Sequence, residues 1–189
     1  MLPARFASLL LALLLVGATP ARADTPVDVK AAMPLLLKVL TYDLNFDARG
    51  VGPFVILVVS APAQAKERER LVTELNELAA NKVKARPVKY VGADFVNETQ
   101  LQNEIDKSHA SALLAQPGMP LGLVKQAWEV TQDNQLYALA LEAVLVEQVL
   151  PIGVSMSGDK AQIIINEKAS RAVGVRFETS VLRLARVIQ

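Results

Sequence analysis

The chain has 189 residues, 20 Lys and Arg against 19 Asp and Glu, a single His and no Cys. Without cysteine, a thiol nucleophile, a thiolate metal site and a disulfide framework are all excluded. The near-neutral balance lacks the basic surplus of a nucleic-acid binder, and basic and acidic residues alternate along stretches such as Lys66-Glu67-Arg68-Glu69-Arg70, which read as a solvated helix face.

Residues 1–23 carry Arg5, an apolar run over 9–16, the helix breakers Gly17 and Pro20, and the small-x-small triplet Ala21-Arg22-Ala23. That order predicts a Sec-type signal peptide cleaved after Ala23 and a bacterial periplasmic destination. Its apolar core is shorter than the roughly 18–20 residues that span a bilayer. Removing Arg5 and Arg22 leaves 18 basic residues against 19 acidic ones. Residues 24–189 are a suitable length for one domain, and no linker or repeat divides them.

Over residues 27–42 the apolar positions Val29, Ala32, Met33, Leu36, Leu37 and Leu40 follow helical spacing, with regular helix expected from Pro34 onward. A loop over 45–53 with Gly50 and Gly52 leads into the continuous apolar run 54–59, the pattern of a strand covered on both faces. Residues 63–80 form a helix with Leu71, Leu75, Leu78 and Ala79 inward and its charges in water, ending near Asn81. A strand over 87–91 follows. Asn97 then caps a helix with Gln100 at its third position and Leu101 and Ile105 inward. A strand over 110–115 ends at Pro117-Gly118. Residues 121–131 are helical, with Val124 and Trp128 buried, and 136–141 is a further strand. The apolar stretch 136–154 is broken by Glu142, Glu147, Gln148 and Pro151, so it does not read as a membrane span.

The alternation of strands and helices predicts an α/β fold: a three-layer α/β/α sandwich with a mostly parallel sheet and right-handed crossovers. The C-terminal part differs. Strands over 152–157 and 161–165 flank Gly158-Asp159, a dipeptide suited to an antiparallel hairpin turn. Asn166 caps a short helix ending at Gly174, and a last helix over 180–188 places Val181, Leu184, Ala185 and Ile188 on one face.

Gln162-Ile163-Ile164-Ile165-Asn166, Ala169-Ser170-Arg171, Gly174-Val175 and the run from Ser180 to Val187 stand in an order that resembles the YfiR-like periplasmic proteins. Val29-Lys30-Ala31-Ala32 is similar to that family's opening after the signal segment, while the Trp-Pro-like step that usually ends its first helix is absent here. The resemblance implies a compact sandwich able to dimerise. It also implies a regulatory role, in which the protein binds the periplasmic region of an inner-membrane diguanylate cyclase and lowers cyclic di-GMP output.

The residues themselves favour binding over catalysis, with no cofactor and no metal. His109 stands alone, at a helix end where it can serve the last carbonyls. Asp43, Asn45 and Asp47 begin like a calcium loop, but Ala48 and Phe54 occupy the positions that need Gly and Glu. Asp94, Glu142 and Glu147 have no spacing that pairs them around a substrate. Gly50-Val51-Gly52 precedes a strand and lacks the third glycine of a pyrophosphate loop. Two candidate surfaces remain. Arg183 and Arg186, three apart on the last helix, offer contacts to an acidic partner or complement the helix dipole. In open parallel sheets, ligands occupy the crevice beyond the strands' C-terminal ends, which selects Ser60, Asp94, Gln116 and Gly118 as candidate ligand contacts.

Overall fold

The structure is a computed structural model that describes residues 28–78, 82–157 and 160–189. The predicted signal peptide, the Gly158-Asp159 turn and the helix end at residues 79–81 lie outside the described residues.

Helix α1 (Val29–Leu40) starts five residues before Pro34, because Asp28 caps it by accepting from the Lys30 N–H. The expected start at Pro34 is therefore corrected. Ala32 and Met33 are fully buried, and that burial holds the first turns helical despite the one backbone hydrogen bond that proline removes. A 3-10 turn at Phe46–Arg49 then leads to β1 (Phe54–Ser60), which is buried at every position.

Helix α2 (Ala65–Asn76) stops earlier than its apolar spacing suggests. The Asn76 amide is the reason: it donates to the Val72 and Tyr90 carbonyls, and its oxygen accepts from the Tyr90 N–H at 3.1 Å. The helix end is thereby fastened to the backbone of β3 (Arg86–Asp94), which also forms a small hairpin with β2 (Lys82–Val83). Helix α3 (Glu98–Ser108) is capped by the Asn97 side chain, as expected. The reciprocal arm of the capping box is not made, since the Gln100 amide oxygen is buried without a partner. Strand β4 (Ala112–Ala115), helix α4 (Leu121–Asp133) and strand β5 (Tyr137–Ala140) follow the expected order, with Val124 and Trp128 buried.

The stretch that failed as a membrane span divides into β5, a short helix α5 (Ala143–Gln148) and β6 (Ile152–Ser157). Among the described residues, no helix is long and apolar enough to cross a membrane. Strand β7 (Lys160–Asn166) pairs antiparallel with β6, and α6 (Glu167–Ala172) is capped by Asn166. The final element is not the expected helix over 180–188. The helix α7 (Thr179–Leu182) lasts four residues, and Arg186–Ile188 forms β8, parallel to β7. The unpaired edge of β7 offers backbone hydrogen bonds that outweigh the local helical spacing. Leu184, expected inward, is 79% exposed.

The eight strands form one sheet in the order β2-β3-β1-β4-β5-β6-β7-β8. Strands β3, β1, β4, β5 and β6 run parallel, and the C-terminal hairpin reverses direction. Helices α1 and α2 pack together on one face and α3 against α4 on the other, giving the α/β/α sandwich.

Two buried tyrosines make stability sensitive to alkali. Burial raises the pKa of Tyr90, and burial together with a hydrogen bond to Asp43 raises that of Tyr137. Folding therefore favours the neutral phenol, so stability is complete below about pH 10 and is lost above it, where the unfolded chain ionises first. The expected slope is up to about 1.4 kcal/mol per pH unit for each tyrosine. The Tyr90 hydroxyl is buried without a partner, so Tyr90→Phe should match or exceed the native stability at neutral pH and flatten the alkaline limb. Urea titrations at pH 7 and above pH 10 measure both effects.

Candidate functional site

The parallel strands carry a topological switch point. Strand β1 is followed by a crossover to β3 on one side, and β3 by a crossover to β4 on the other, so the connections diverge between β1 and β4. The C-terminal ends of these strands leave a crevice at such a point. Ser60 closes β1 and Gln116 follows β4, and the Gln116 N–H donates to the Val59 carbonyl at 2.8 Å.

Ser60 and Asp94 are brought together by a residue whose role is not evident from the charge pattern. Arg68 is only 6% exposed, which corrects the expectation that all the charges of its helix face water. Its position explains this: residues 68, 71 and 75 are spaced three and four apart, so Arg68 continues the buried stripe of Leu71 and Leu75. That 3-4 spacing is the signal in the sequence that could have found it. Its guanidinium donates to the Ser60 hydroxyl at 3.1 Å, to the Asp94 carboxylate, and to Glu69 at 2.8 and 3.2 Å. Burial opposes its charge, but the hydrogen bonds and charges of Glu69 and Asp94 outweigh that effect and raise its pKa. Room for the side chain comes from Gly92 on β3, where a Cβ would lie 2.8 Å from the Arg68 Nε.

Gln116 and Gly118 occupy the neighbouring turn. Gly118 has φ +76°, a left-handed conformation suited to glycine, and its N–H donates to Glu142 Oε2 at 3.0 Å. Gln64, at the start of α2, reaches across to the Pro117 carbonyl. The amide oxygens of both Gln64 and Gln116 are buried and accept no hydrogen bond. At this edge of the sheet a satisfied ion cluster stands on the β3 side, and two unsatisfied acceptors lie at the turns after β1 and β4.

The three carboxylates form no pair. Asp94 holds Arg68, Glu142 holds the Gly118 N–H, and Glu147 holds Arg186 at 2.6 Å. Arg183 and Arg186 do not share a helix as expected. Arg183 is the exposed residue that ends α7, while Arg186 opens β8 and is already paired. His109 ends α3 in the left-handed region at φ +52° and is exposed. Asp43 is a buried structural anchor rather than the start of a cation loop. Among the described residues, no group of three His, Cys, Asp or Glu side chains is placed to hold a metal.

No protein-family model and no curated protein matches the chain. Solved structures do. The chain is similar to an ABC domain in complex with L-Trp from Streptococcus pneumonia, with a TM-score of 0.59 and 12% identity over 82% of this chain and 59% of that one. It is also similar to the ligand-free, open form of a substrate-binding protein with adhesive properties from Clostridium difficile, with a TM-score of 0.54 and 14% identity over 72% and 54% of the two chains. A conserved domain protein from Vibrio cholerae gives a TM-score of 0.51 and 15% identity over 71% and 54%. At these identities the likeness concerns the fold. The matched region spans less than two thirds of each of those chains.

Proposed function

We propose that the chain is an exported binding module that holds a small polar ligand in the crevice between β1 and β4. The observation that carries this reading is the pair of buried, unsatisfied amide oxygens on Gln64 and Gln116 at the switch point. A buried acceptor without a donor costs about 1–3 kcal/mol, and a ligand bringing N–H or O–H groups would recover that energy. The Asp94 side chain stays 38% exposed beside the Arg68 guanidinium, so the crevice presents charge as well. A carboxylate that is already hydrogen-bonded, next to a lone buried serine hydroxyl, lacks the nucleophile-base pair of a hydrolase, and this favours binding over turnover. One structure of similar fold holds L-Trp, which puts amino acids first in a screen.

A thermal-shift screen tests the proposal. A ligand at 100 times its dissociation constant adds about 2.7 kcal/mol, a rise in midpoint of roughly 5–11 °C for a domain of this size. Gln116→Ala should remove most of that rise. Flat melting curves across amino acids and other small polar metabolites would defeat the reading.

The C-terminal segment favours a second reading, the YfiR-like regulator. Motif residues hold structural posts there: Asn166 caps α6 and also donates to the Val146 carbonyl, and Gly174 turns the chain at φ +70°. Beside them, Arg183 and Leu184 are exposed, and the Arg183 guanidinium has no partner among the described residues. These two residues suit an acidic, partly apolar patch on the periplasmic region of a membrane-bound diguanylate cyclase. Crosslinking in cells that recovers such a cyclase with the native chain, and loses it with Arg183→Glu, supports this role. Unchanged cyclic di-GMP after gene deletion opposes it.

A further inference from the structure

A basic concavity lies at the opposite, N-terminal edge of the sheet, with a volume of about 970 Å³. Its walls come from the starts of β1, β3 and β5, the turn before β4, and the end of α3. Every ionisable residue of its lining other than Tyr137 is basic: Arg49, Arg86, Lys89 and His109. Asp43 neutralises Arg49, and Asp47 is engaged by Lys84. Arg86 and Lys89 have no ion pair among the described residues. The cavity's uncompensated positive charge therefore sits on Arg86 and Lys89.

Arg86 is held in place for a counter-charge. Its Nε donates to the Gly52 carbonyl at 2.9 Å, and its Nη2 to the Pro53 carbonyl and to the Ser111 hydroxyl, both at 3.2 Å. The guanidinium carbon sits 5.1 Å from the centre of the Phe54 ring and 5.7 Å from that of Phe46. Nη1 is buried and donates to nothing. Desolvation without a carboxylate disfavours the charge and lowers the Arg86 pKa. Ser111 accepts from Arg86, which leaves its own proton to donate. The rings of Phe54 and Tyr137 are buried beneath the Arg86 and Arg49 guanidinium groups, so the apolar wall of the cavity comes from Val51, Pro53 and Leu136.

We propose that this cavity is a second ligand site, distinct from the β1–β4 crevice, for a small organic anion: a carboxylate or phosphate group carried on a small apolar body. Arg86, Lys89 and Ser111 receive the anionic group, and Val51, Pro53 and Leu136 receive the body. Isothermal titration of the full chain at low ionic strength tests it, with phenyl phosphate and benzoate as probes and neutral benzyl alcohol as the shape-matched control. Both anions are expected to bind, more weakly as salt rises, and benzyl alcohol is expected to give no saturable heat. Arg86→Gln should weaken phenyl phosphate by about tenfold or more, the loss of one charge-assisted contact. Lys89 is exposed and unpaired, so Lys89→Gln leaves the fold intact and should weaken binding by a smaller factor. If Arg86→Gln fails to fold, Lys89→Gln and Ser111→Ala carry the comparison. Absence of heat from both anions, equal binding of benzyl alcohol, or affinities unchanged in the folded variants would overturn the assignment.

Discussion

Replacing Asp43 with alanine is expected to lower the unfolding free energy by about 3–5 kcal/mol. Its carboxylate has no exposed surface and accepts four hydrogen bonds. Oδ1 accepts from the Asn45 N–H at 3.1 Å and the Arg176 N–H at 2.9 Å; Oδ2 accepts from the Tyr137 hydroxyl at 2.7 Å and Arg49 Nε at 3.1 Å. Arg49 spreads the network further, donating to the Gln135 and Val173 carbonyls and lying over the Tyr137 ring. One side chain thus joins the turn after α1, the start of β5 and the segment after α6. Alanine would strand a mostly buried guanidinium, a phenol and two backbone donors together, and unpaired buried charge is the costly component. Urea denaturation should show a lower midpoint at unchanged slope. A loss below about 1 kcal/mol would mean that water replaces the carboxylate without cost. Asp43→Asn keeps the shape but not the charge, so it should fall between the two.

Gly153→Val is expected to cost about 3 kcal/mol, the upper part of the range for overpacked cores. A Cβ at this position would overlap Val146 Cγ2 and lie 2.9 Å from the Ala140 carbonyl oxygen. The valine can rotate away, but the carbonyl belongs to the backbone of β5 directly opposite in the register, Ala140 facing Gly153. Adding a branched side chain forces β5 and β6 apart beneath α5. The β-branched residue would ordinarily favour a strand, so local preference and packing predict opposite signs. Thermal or urea midpoints decide between them, and a neutral or stabilising result would refute the close approach.

Part of this architecture follows from sequence pattern alone. The run of buried apolar residues in β1, the 3-4 spacing of Leu71 and Leu75, and the Asn97 and Asn166 caps act over a few residues, so they are legible without knowing the fold. The positions of Ser60, Asp94, Gln116 and Gly118 at strand ends were legible for the same reason, since each strand's C-terminus is marked by the turn residues after it. The links among them were not. Arg68 was hidden by alternating charges that read as a solvated face, and the Gln64–Gln116 pair involves residues 52 positions apart. The helix α5 escaped notice because Glu142 and Glu147 interrupt an apolar run too short to establish a period.

The sequence by itself determined the α/β class, the order of the main strands and helices, the C-terminal hairpin and the caps, because these depend on periodicities and short-range hydrogen bonds. Tertiary structure alone decided that residues 186–188 become a strand, that Asp43 becomes a buried anchor and that Arg68 turns inward. It also placed four basic side chains around one cavity at the N-terminal edge. Each of those outcomes depends on partners far away in the chain. An open strand edge, a distant tyrosine or a glycine-lined gap supplies free energy that no local window of residues contains.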